Sequence, residues 1–216
     1  MRALWLTLAV LVCDQITKTI IVHRMRLYES IAIVGDWFKF TYTTNPGMAF
    51  GLSFGPPGLI TLFAVGATAL IIFYLWSIRS AYAPYRLSLA LILGGALGNI
   101  LDRIFYGVIY GYGPLFQGQV VDFIHVDLGV VDVPLFGPRR LFPIWNVADM
   151  AIVTGVVGFM IFQSAFHRRL AAETAAAETM DAIETPPETA AEQTRAAIET
   201  TAAPDVTTTP AAPESR

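Results

Sequence analysis

Four apolar stretches, each about as long as a bilayer is thick, limit what this chain can fold into more than any other feature. A helix needs about 20 mostly apolar residues to cross the hydrocarbon core. Only 14% of the 216 residues are charged and 55% are hydrophobic, whereas soluble domains carry about 25% charged residues. The sequence therefore predicts a membrane protein with an all-α core of four transmembrane helices, at about residues 4–22, 58–78, 87–105 and 144–166.

The net charge of −3 combines two unlike parts of the chain. Residues 1–170 hold 12 Lys/Arg and 8 Asp/Glu, a net of +4, whereas residues 171–216 hold 2 and 9, a net of −7. The second part is rich in Ala, Thr, Glu and Pro and lacks the apolar side chains of a folded core. We therefore expect a transmembrane domain over residues 1–169 and a disordered acidic cytoplasmic tail over residues 170–216.

Arginines indicate which loops lie in the cytoplasm. They precede the first span, flank the turn between the second and third, and follow the fourth, at Arg2, Arg79, Arg86, Arg168 and Arg169. The positive-inside rule then places both termini in the cytoplasm and the longer loops, residues 23–57 and 106–142, on the opposite side.

These two loops carry the period-2 alternation of short strands. It is clearest at residues 31–34, 38–43, 119–126 and 130–135. Because open sheet edges cannot face lipid, we expect a small cradle-like β-sheet at the outer membrane surface.

Two aspartates are candidate functional residues because they lie at the margins of apolar segments. A carboxylate in the hydrocarbon layer costs about 2.5–3.5 kcal/mol on insertion scales and marks function by default. Asp122 lies in Val120-Val121-Asp122-Phe123-Ile124, and Asp149 follows Asn146 at i+3 near the start of the fourth span. Paired carboxylates can share one proton and divide acid and base duties. For Asp122, a solvated loop carboxylate is the structural alternative.

Further polar residues interrupt the first and third spans. Asn99, Asp102 and Arg103 are expected on one face at the depth of Asp149, although an Asp102–Arg103 cap at the lipid headgroups would also explain Asp102. Asp14 and Lys18 stand at i and i+4 and favour a structural ion pair. With three histidines and no His-Glu-x-x-His motif, the sequence gives no support to a zinc peptidase.

The chain resembles lipoprotein signal peptidase (signal peptidase II), the bacterial intramembrane aspartic protease family. Five motifs in the family's order carry the resemblance and span nearly all of residues 1–165. They are Asp14-Gln15-Ile16-Thr17-Lys18, Thr44-Asn45-Pro46-Gly47-Met48-Ala49-Phe50-Gly51, Gly94-Gly95-Ala96-Leu97-Gly98-Asn99-Ile100-Leu101-Asp102-Arg103, Val120-Val121-Asp122-Phe123-Ile124 and Phe142-Pro143-Ile144-Trp145-Asn146-Val147-Ala148-Asp149.

The resemblance implies a catalytic dyad of Asp122 and Asp149. It further implies residues that line or brace the site, or support it from the helix bundle: Asn45, Gly47, Asn99, Arg103, Asn146, Asp14 and Lys18. The expected substrate is a prolipoprotein with a diacylglyceryl-modified cysteine, cleaved just before that cysteine in the bacterial inner membrane. The expectation includes membrane lipids as neighbours, no cofactor, metal or nucleic acid, and a monomeric protein.

The chain departs from the family pattern in an insert around residues 126–140 and in the acidic tail. The insert contains Asp127 and Asp132, and the Val-Val-Asp-Phe context favours Asp122 over both. Residues 23–57 are expected to fold over the substrate as a lid, with turns at Gly47 and Gly51.

Other function classes remain as alternatives. A serine/lysine peptidase has little support, because the only lysines are Lys18 and Lys39 and no serine is placed beside them. A presenilin-type protease would need Gly-x-Gly-Asp, which is absent from the sequence. A small transporter or assembly factor could use the same carboxylates for proton coupling, although transporters place such groups near the midplane on broken helices.

Overall fold

The computed structural model describes residues 2–47, 58–133, 137–140 and 142–184. It contains five α-helices: α1 Arg2–Arg24, α2 Leu59–Ser77, α3 Ala83–Leu101, the short α4 Gly107–Ile109 and α5 Val147–Glu184. A π-helical segment, Asp102–Tyr106, joins α3 to α4. The six strands are β1 Ser30–Val34, β2 Phe38–Asn45, β3 Val120–Val126, β4 Val130–Val133, β5 Gly137–Arg140 and β6 Ile144–Trp145.

Four helical segments are long and apolar enough to cross a membrane, as the sequence predicts. They are Arg2–Arg24, Leu59–Ser77, Ala83–Ile109 and Val147–Asp181. The third begins four residues before the predicted start, because Pro84 near the helix start is compatible with its first turn.

Glycines let α1 and α5 approach α3 closely. A Cβ on Gly94 would lie 2.8 Å from the Cβ of Val10 on α1, and one on Gly95 would collide with the carbonyl oxygen of Ala148 on α5. A Cβ on Gly155 of α5 would in turn lie 2.6 Å from the carbonyl oxygen of Ser88 on α3. Small residues on the third span therefore serve close helix packing.

The predicted small sheet is also confirmed. Strands β1, β2, β3 and β6 form one antiparallel sheet in that order, and β4 and β5 form a separate two-stranded sheet. In the β2–β3 ladder Thr43 lies opposite Asp122, and Thr44 lies opposite Val121. Because successive side chains of a strand point to opposite faces, Asp122 and Val121 face different sides of the sheet.

The chain divides into two compact units, Met1–Arg169 and Leu170–Arg216. The expectation of disorder from residue 170 onward is wrong for residues 170–184, which are helical. The sequence there, Leu170-Ala-Ala-Glu-Thr-Ala-Ala-Ala-Glu, is dominated by strong helix formers. This local preference is enough to explain the helix without support from a packed core. Residues 185–216 lie outside the described part of the chain.

The predicted start of the fourth span at residue 144 is wrong by three residues. Ile144 and Trp145 form strand β6, paired with His125 and Ile124 of β3, and α5 begins at Val147. Asn146 therefore occupies the junction between a strand and a helix rather than a position within the span.

Candidate functional site

The N-terminus of α5 fixes the position of Asp149. The Oδ1 atom of Asn146 accepts a hydrogen bond from the Asp149 backbone N–H at 2.9 Å, and Asp149 Oδ2 accepts one from the Asn146 backbone N–H at 3.2 Å. This reciprocal pairing of the cap residue and the third helical residue is a capping box. The same helix end favours negative charge, because its backbone N–H groups point toward the carboxylate.

A second carboxylate caps the same helix end from a distant part of the sequence. Asp14 Oδ1 on α1 accepts a hydrogen bond from the Ala148 backbone N–H at 2.9 Å. On α3, a Cβ at Gly98 would collide with the Asp14 carboxylate, so glycine is needed for this approach. Asp14 thus fastens α1 to the start of α5 and holds Asp149 at a fixed place.

Asn146 connects the two aspartates that the sequence singled out. Its side-chain Nδ2 donates to Asp122 Oδ1 at 2.7 Å, while its Oδ1 accepts from the Asp149 backbone. Asp122 comes from β3 and Asp149 from α5, so the strand-to-helix junction at Asn146 brings them to one site. Asp122 is only 5% exposed, and the alternative of a solvated loop carboxylate is therefore wrong.

Asn99 links this site to the buried lysine of α1. Its Nδ2 donates to Asp149 Oδ1 at 2.8 Å, and its Oδ1 accepts from Lys18 Nζ at 2.9 Å and from Asn146 Nδ2 at 3.2 Å. These three bonds fix which end of the amide faces Asp149. The lysine thereby determines that Asn99 presents a donor, not an acceptor, to the Asp149 carboxylate.

Lys18 is fully buried between two carboxylates. Its Nζ lies 2.8 Å from Asp14 Oδ2 and 2.8 Å from Asp102 Oδ2, and all three side chains are 0% exposed. Asp102 also accepts a hydrogen bond from the Val121 backbone N–H at 3.2 Å, which ties β3 to the end of α3. The alternative of an Asp102–Arg103 cap at the lipid headgroups is wrong, because Asp102 is enclosed by protein.

Asp14 and Lys18 form the predicted i, i+4 ion pair and are also joined to the other polar groups. Through Asn99 and Asp102 this pair is continuous with the hydrogen bonds around Asp122 and Asp149. The sequence spacing correctly gives the i, i+4 pair, but it carries no information on which partners α3 supplies.

Two further residues of this network, Gln15 and Tyr106, are not among the site residues predicted from the sequence. Gln15 Nε2 donates to Asp102 Oδ1 at 2.9 Å and to the Gly98 carbonyl oxygen at 3.2 Å, and its Oε1 accepts from Tyr106 Oη at 3.2 Å. A neutral polar residue beside Asp14 within an apolar span is a detectable signal. No comparable signal marks Tyr106, which the π-helical segment turns toward α1.

A π-helical segment at residues 102–106 follows the turn of α3 that carries Asn99. Asn99 and Asp102 both contact Lys18 Nζ, as expected for residues on one helix face, while the Nε of Arg103 is buried without a hydrogen-bond partner. The carbonyl oxygens of Arg103 and Ile104 accept hydrogen bonds from the backbone of Gly118 at 2.9 Å and Phe116 at 3.1 Å. A loop thus satisfies carbonyl groups in the region of this helical irregularity.

Burial and a neighbouring negative charge set the ionisation of Asp122. Loss of solvent, followed by repulsion from Asp149, raises the pKa of Asp122 to about 7. The hydrogen bond from Asn146 and attraction to Lys18 and Arg103 oppose this rise without cancelling it. At neutral pH Asp122 is therefore protonated in a substantial fraction of the protein molecules.

Asn45 and Gly47 form a turn at the end of β2. Asn45 Oδ1 accepts a hydrogen bond from the Gly47 backbone N–H at 2.9 Å, and Gly47 has a φ of +104°, which favours glycine. Asn45 is opposite Val120 in the sheet, two residues from Asp122 on β3. The rest of the predicted lid, including Gly51, lies outside the described residues.

Within the described ranges, no group of three or more His, Cys, Asp or Glu side chains is arranged to hold a metal ion. The chemistry that these residues offer is that of carboxylates oriented by amides, with a buried lysine behind them.

Known proteins resemble this chain over its first three quarters. A family profile described as signal peptidase (SPase) II matches residues 6–166. A lipoprotein signal peptidase of Amoebophilus asiaticus is 34% identical over 197 residues, covering 82% of this chain and 84% of the relative. One from Chlorobium phaeobacteroides is 37% identical over 156 residues, covering 72% and 85%.

Solved structures agree with the sequence relatives. A structure described as a bacterial membrane enzyme, determined by the in meso method at 2.3 Å resolution, superposes with a TM-score of 0.57 at 26% identity. The superposition covers 76% of this chain and 88% of the chain in that structure. Together with the family match over residues 6–166, this confirms the resemblance found in the sequence: the chain belongs to the signal peptidase II family of membrane proteases.

Proposed function

We propose that this protein is an aspartic endopeptidase that removes the signal peptide from diacylglyceryl-modified prolipoproteins, cutting just before the lipidated cysteine. Family membership supports the reaction class, and relatives such as that of Chlorobium phaeobacteroides carry the name lipoprotein signal peptidase. The observation that carries the assignment is that the Asn146 side chain contacts Asp122 and the backbone of Asp149 at once.

In the proposed mechanism the two carboxylates begin in different protonation states. We assign the proton to Asp122, whose pKa is raised to about 7, and the negative charge to Asp149, which accepts hydrogen bonds from Asn99 Nδ2 and the Asn146 backbone N–H at the start of α5. Asp149 takes a proton from a water molecule, the water oxygen attacks the scissile carbonyl carbon, and Asp122 donates its proton to the carbonyl oxygen. No covalent enzyme intermediate forms.

The second half of the reaction returns the protons. The tetrahedral diol collapses as Asp149 donates its proton to the leaving nitrogen, and Asp122 regains a proton from the hydroxyl group that becomes the new carboxyl group. The C–N bond breaks and the dyad recovers its starting state. Coupled carboxylates of this kind titrate as a unit rather than as two independent groups.

The remaining network residues are proposed to orient the dyad and the substrate. Asn99 presents a donor to Asp149 because Lys18 occupies its oxygen. Arg103 keeps a buried Nε without a hydrogen-bond partner, and a substrate carbonyl group would satisfy it. Asn45, in the turn with Gly47 at the end of β2, is proposed to hold the substrate backbone.

The proposed setting is the bacterial inner membrane, with both termini in the cytoplasm and the dyad near the opposite surface. A site at that depth lets the acyl chains of the substrate remain among lipids while the signal helix docks against the bundle. The protein is proposed to act as a monomer.

Replacing each aspartate separately by Asn tests the dyad. We expect Asp122→Asn and Asp149→Asn to lower the cleavage rate of a lipidated precursor in detergent by at least about 100-fold, because each removes a proton-transfer group. Asp127→Asn, in the neighbouring insert, is the matched control and should cleave at the wild-type rate.

Wild-type cleavage by either single dyad variant would contradict the assignment. Strong inhibition of the wild-type protein by EDTA would contradict the metal-free mechanism while leaving the protease assignment in place.

A further inference from the structure

A cavity of about 410 Å³ lies between α1, α2 and α3, and neither Asp122 nor Asp149 lines it. Its walls are mostly apolar, with Leu75 on α2 and Leu93 and Leu97 on α3. The volume falls within the range of roughly 300–1,000 Å³ that is usual for ligand pockets. The cavity is therefore large enough for part of a lipid-sized molecule.

The cavity follows α3 over a distance that matches one leaflet of a bilayer. Its lining extends on that helix from Arg86 to Leu97, which at 1.5 Å per residue corresponds to about 16 Å. The hydrocarbon core of a bilayer is about 30 Å thick, so this is roughly the depth of one set of acyl chains.

Both polar residues at one end of the cavity are cationic. Arg79, in the turn after α2, and Arg86, in the first turn of α3, line it there. None of the described residues that line the cavity is acidic, and no acidic side chain in the described ranges pairs with either arginine. The cavity is thus mostly apolar, with positive charge at the end where α3 begins.

The Nε of Arg86 is buried and has no hydrogen-bond partner. Arg79 cannot provide an acceptor, because a guanidinium group carries donors only; it lies 5.8 Å from the centre of the Trp76 ring. A buried donor without an acceptor is unfavourable, and an acceptor on a molecule bound beside Arg86 would relieve this cost.

We propose that this cavity binds one anionic phospholipid, with its phosphate group at Arg86 and Arg79 and one acyl chain along the apolar wall. Guanidinium groups recognise phosphate through paired charge-assisted hydrogen bonds. Basic pockets between transmembrane helices are also suited to anionic headgroups. The proposal concerns binding alone and does not depend on the proteolytic mechanism.

Native mass spectrometry of the full chain in detergent tests the proposal with two lipids of identical acyl chains. We expect wild-type protein to retain one phosphatidylglycerol, and to bind phosphatidylcholine at least about tenfold more weakly. Arg86→Gln should weaken phosphatidylglycerol binding by about tenfold or more, in line with the loss of a charged hydrogen bond. Arg168→Gln, an exposed arginine of α5 that does not line the cavity, is the matched control and should leave binding unchanged.

A second variant tests the acyl-chain part while keeping both arginines. Ile72→Trp, at a half-exposed position of the wall, should fill the cavity and reduce phosphatidylglycerol binding to a similar extent. Equal binding of both lipids, or of wild type and Arg86→Gln, would show an unselective lipid annulus and overturn the proposal. Displacement of the lipid by soluble glycerol phosphate at equal concentration would overturn the acyl-chain part.

Discussion

At the scale of single residues, the site depends on side chains that serve two structural purposes at once. Asn146 caps α5 with its oxygen and holds Asp122 with its nitrogen, and Asp14 pairs with Lys18 while it caps Ala148. The positions of the Asp122 and Asp149 carboxylates are therefore consequences of how the start of α5 is capped. A single amide at the strand-to-helix junction provides the orientation.

The raised pKa of Asp122 predicts a specific dependence of stability on pH. Its ordinary value is 3.8 and its value in the folded protein is about 7, so the folded state keeps a proton that the unfolded chain has released between these pH values. Stability contributed by this group is therefore lost as pH rises from about 4 to about 7. Asp122→Asn stays neutral at every pH, and we expect it to raise the melting temperature in detergent more at pH 8 than at pH 4.5.

Asp127→Asn is the control, because the pKa of Asp127 is shifted in the opposite direction. The hydrogen bond from Lys39 lowers the pKa of Asp127, so this carboxylate favours the folded state above pH 4 and its loss cannot produce a gain that grows with pH. An equal gain from Asp122→Asn at both pH values would show that burial does not perturb the carboxyl group.

At the scale of elements, the sequence predicts what depends on local pattern and misses what depends on distant partners. The alternation at residues 120–126 predicts β3, and apolar length predicts the four spans. Strand β6 consists of Ile144 and Trp145 alone, two residues that continue an apolar run and become a strand only by pairing with β3. The pattern Asn146-x-x-Asp149 is a capping signal that would have set the start of α5 correctly.

The site shows the same division. Spacing along one helix predicts that Asp14 meets Lys18, since both lie on α1. Spacing on α3 likewise predicts that Asn99 and Asp102 share a face. That this face contacts Lys18 could not be predicted, because the sequence does not show how α1 and α3 pack together.

The insert is an element of its own, which predicts how the protein tolerates its removal. Strands β4 and β5 pair only with each other among the described strands. Val126, by contrast, belongs to β3. The Asp127 side chain accepts a hydrogen bond from Lys39 on β2, and its backbone N–H donates to the carbonyl oxygen of Trp37, just before β2. Replacing residues 130–140 by a short glycine linker should therefore change the melting temperature in detergent by no more than a few degrees. We expect the cleavage rate or the preference among lipidated precursors to change more than the stability does.

A deletion that starts at residue 126 is the contrasting variant. It removes the partner of Phe38 at the end of the β2–β3 ladder and should destabilise the protein measurably. Loss of expression with the shorter deletion, at residues 130–140, would contradict the view of the insert as an independent element.

At the scale of the whole transmembrane unit, polar groups and strands gather at one end of the helices. The end of α3 carries Asn99 and Asp102, α5 begins beside them with Asp149, and the sheet is joined there through Val121. Arg79, in the turn between α2 and α3, and Arg86, in the first turn of α3, lie at the opposite end of α3. With the positive-inside rule, this polarity predicts that the sheet faces away from the cytoplasm.

Cysteine labelling tests this orientation, since Cys13 is the only native cysteine and Cys13→Ser removes it. In that background we expect Asp36→Cys, an exposed position between β1 and β2, to react with a membrane-impermeant maleimide in intact spheroplasts. Ser80→Cys, exposed in the turn between α2 and α3, should react only after the membrane is permeabilised. Retained cleavage activity would establish that both variants are folded, and the reverse labelling pattern would place the candidate site on the cytoplasmic side, where translocated prolipoproteins are not accessible.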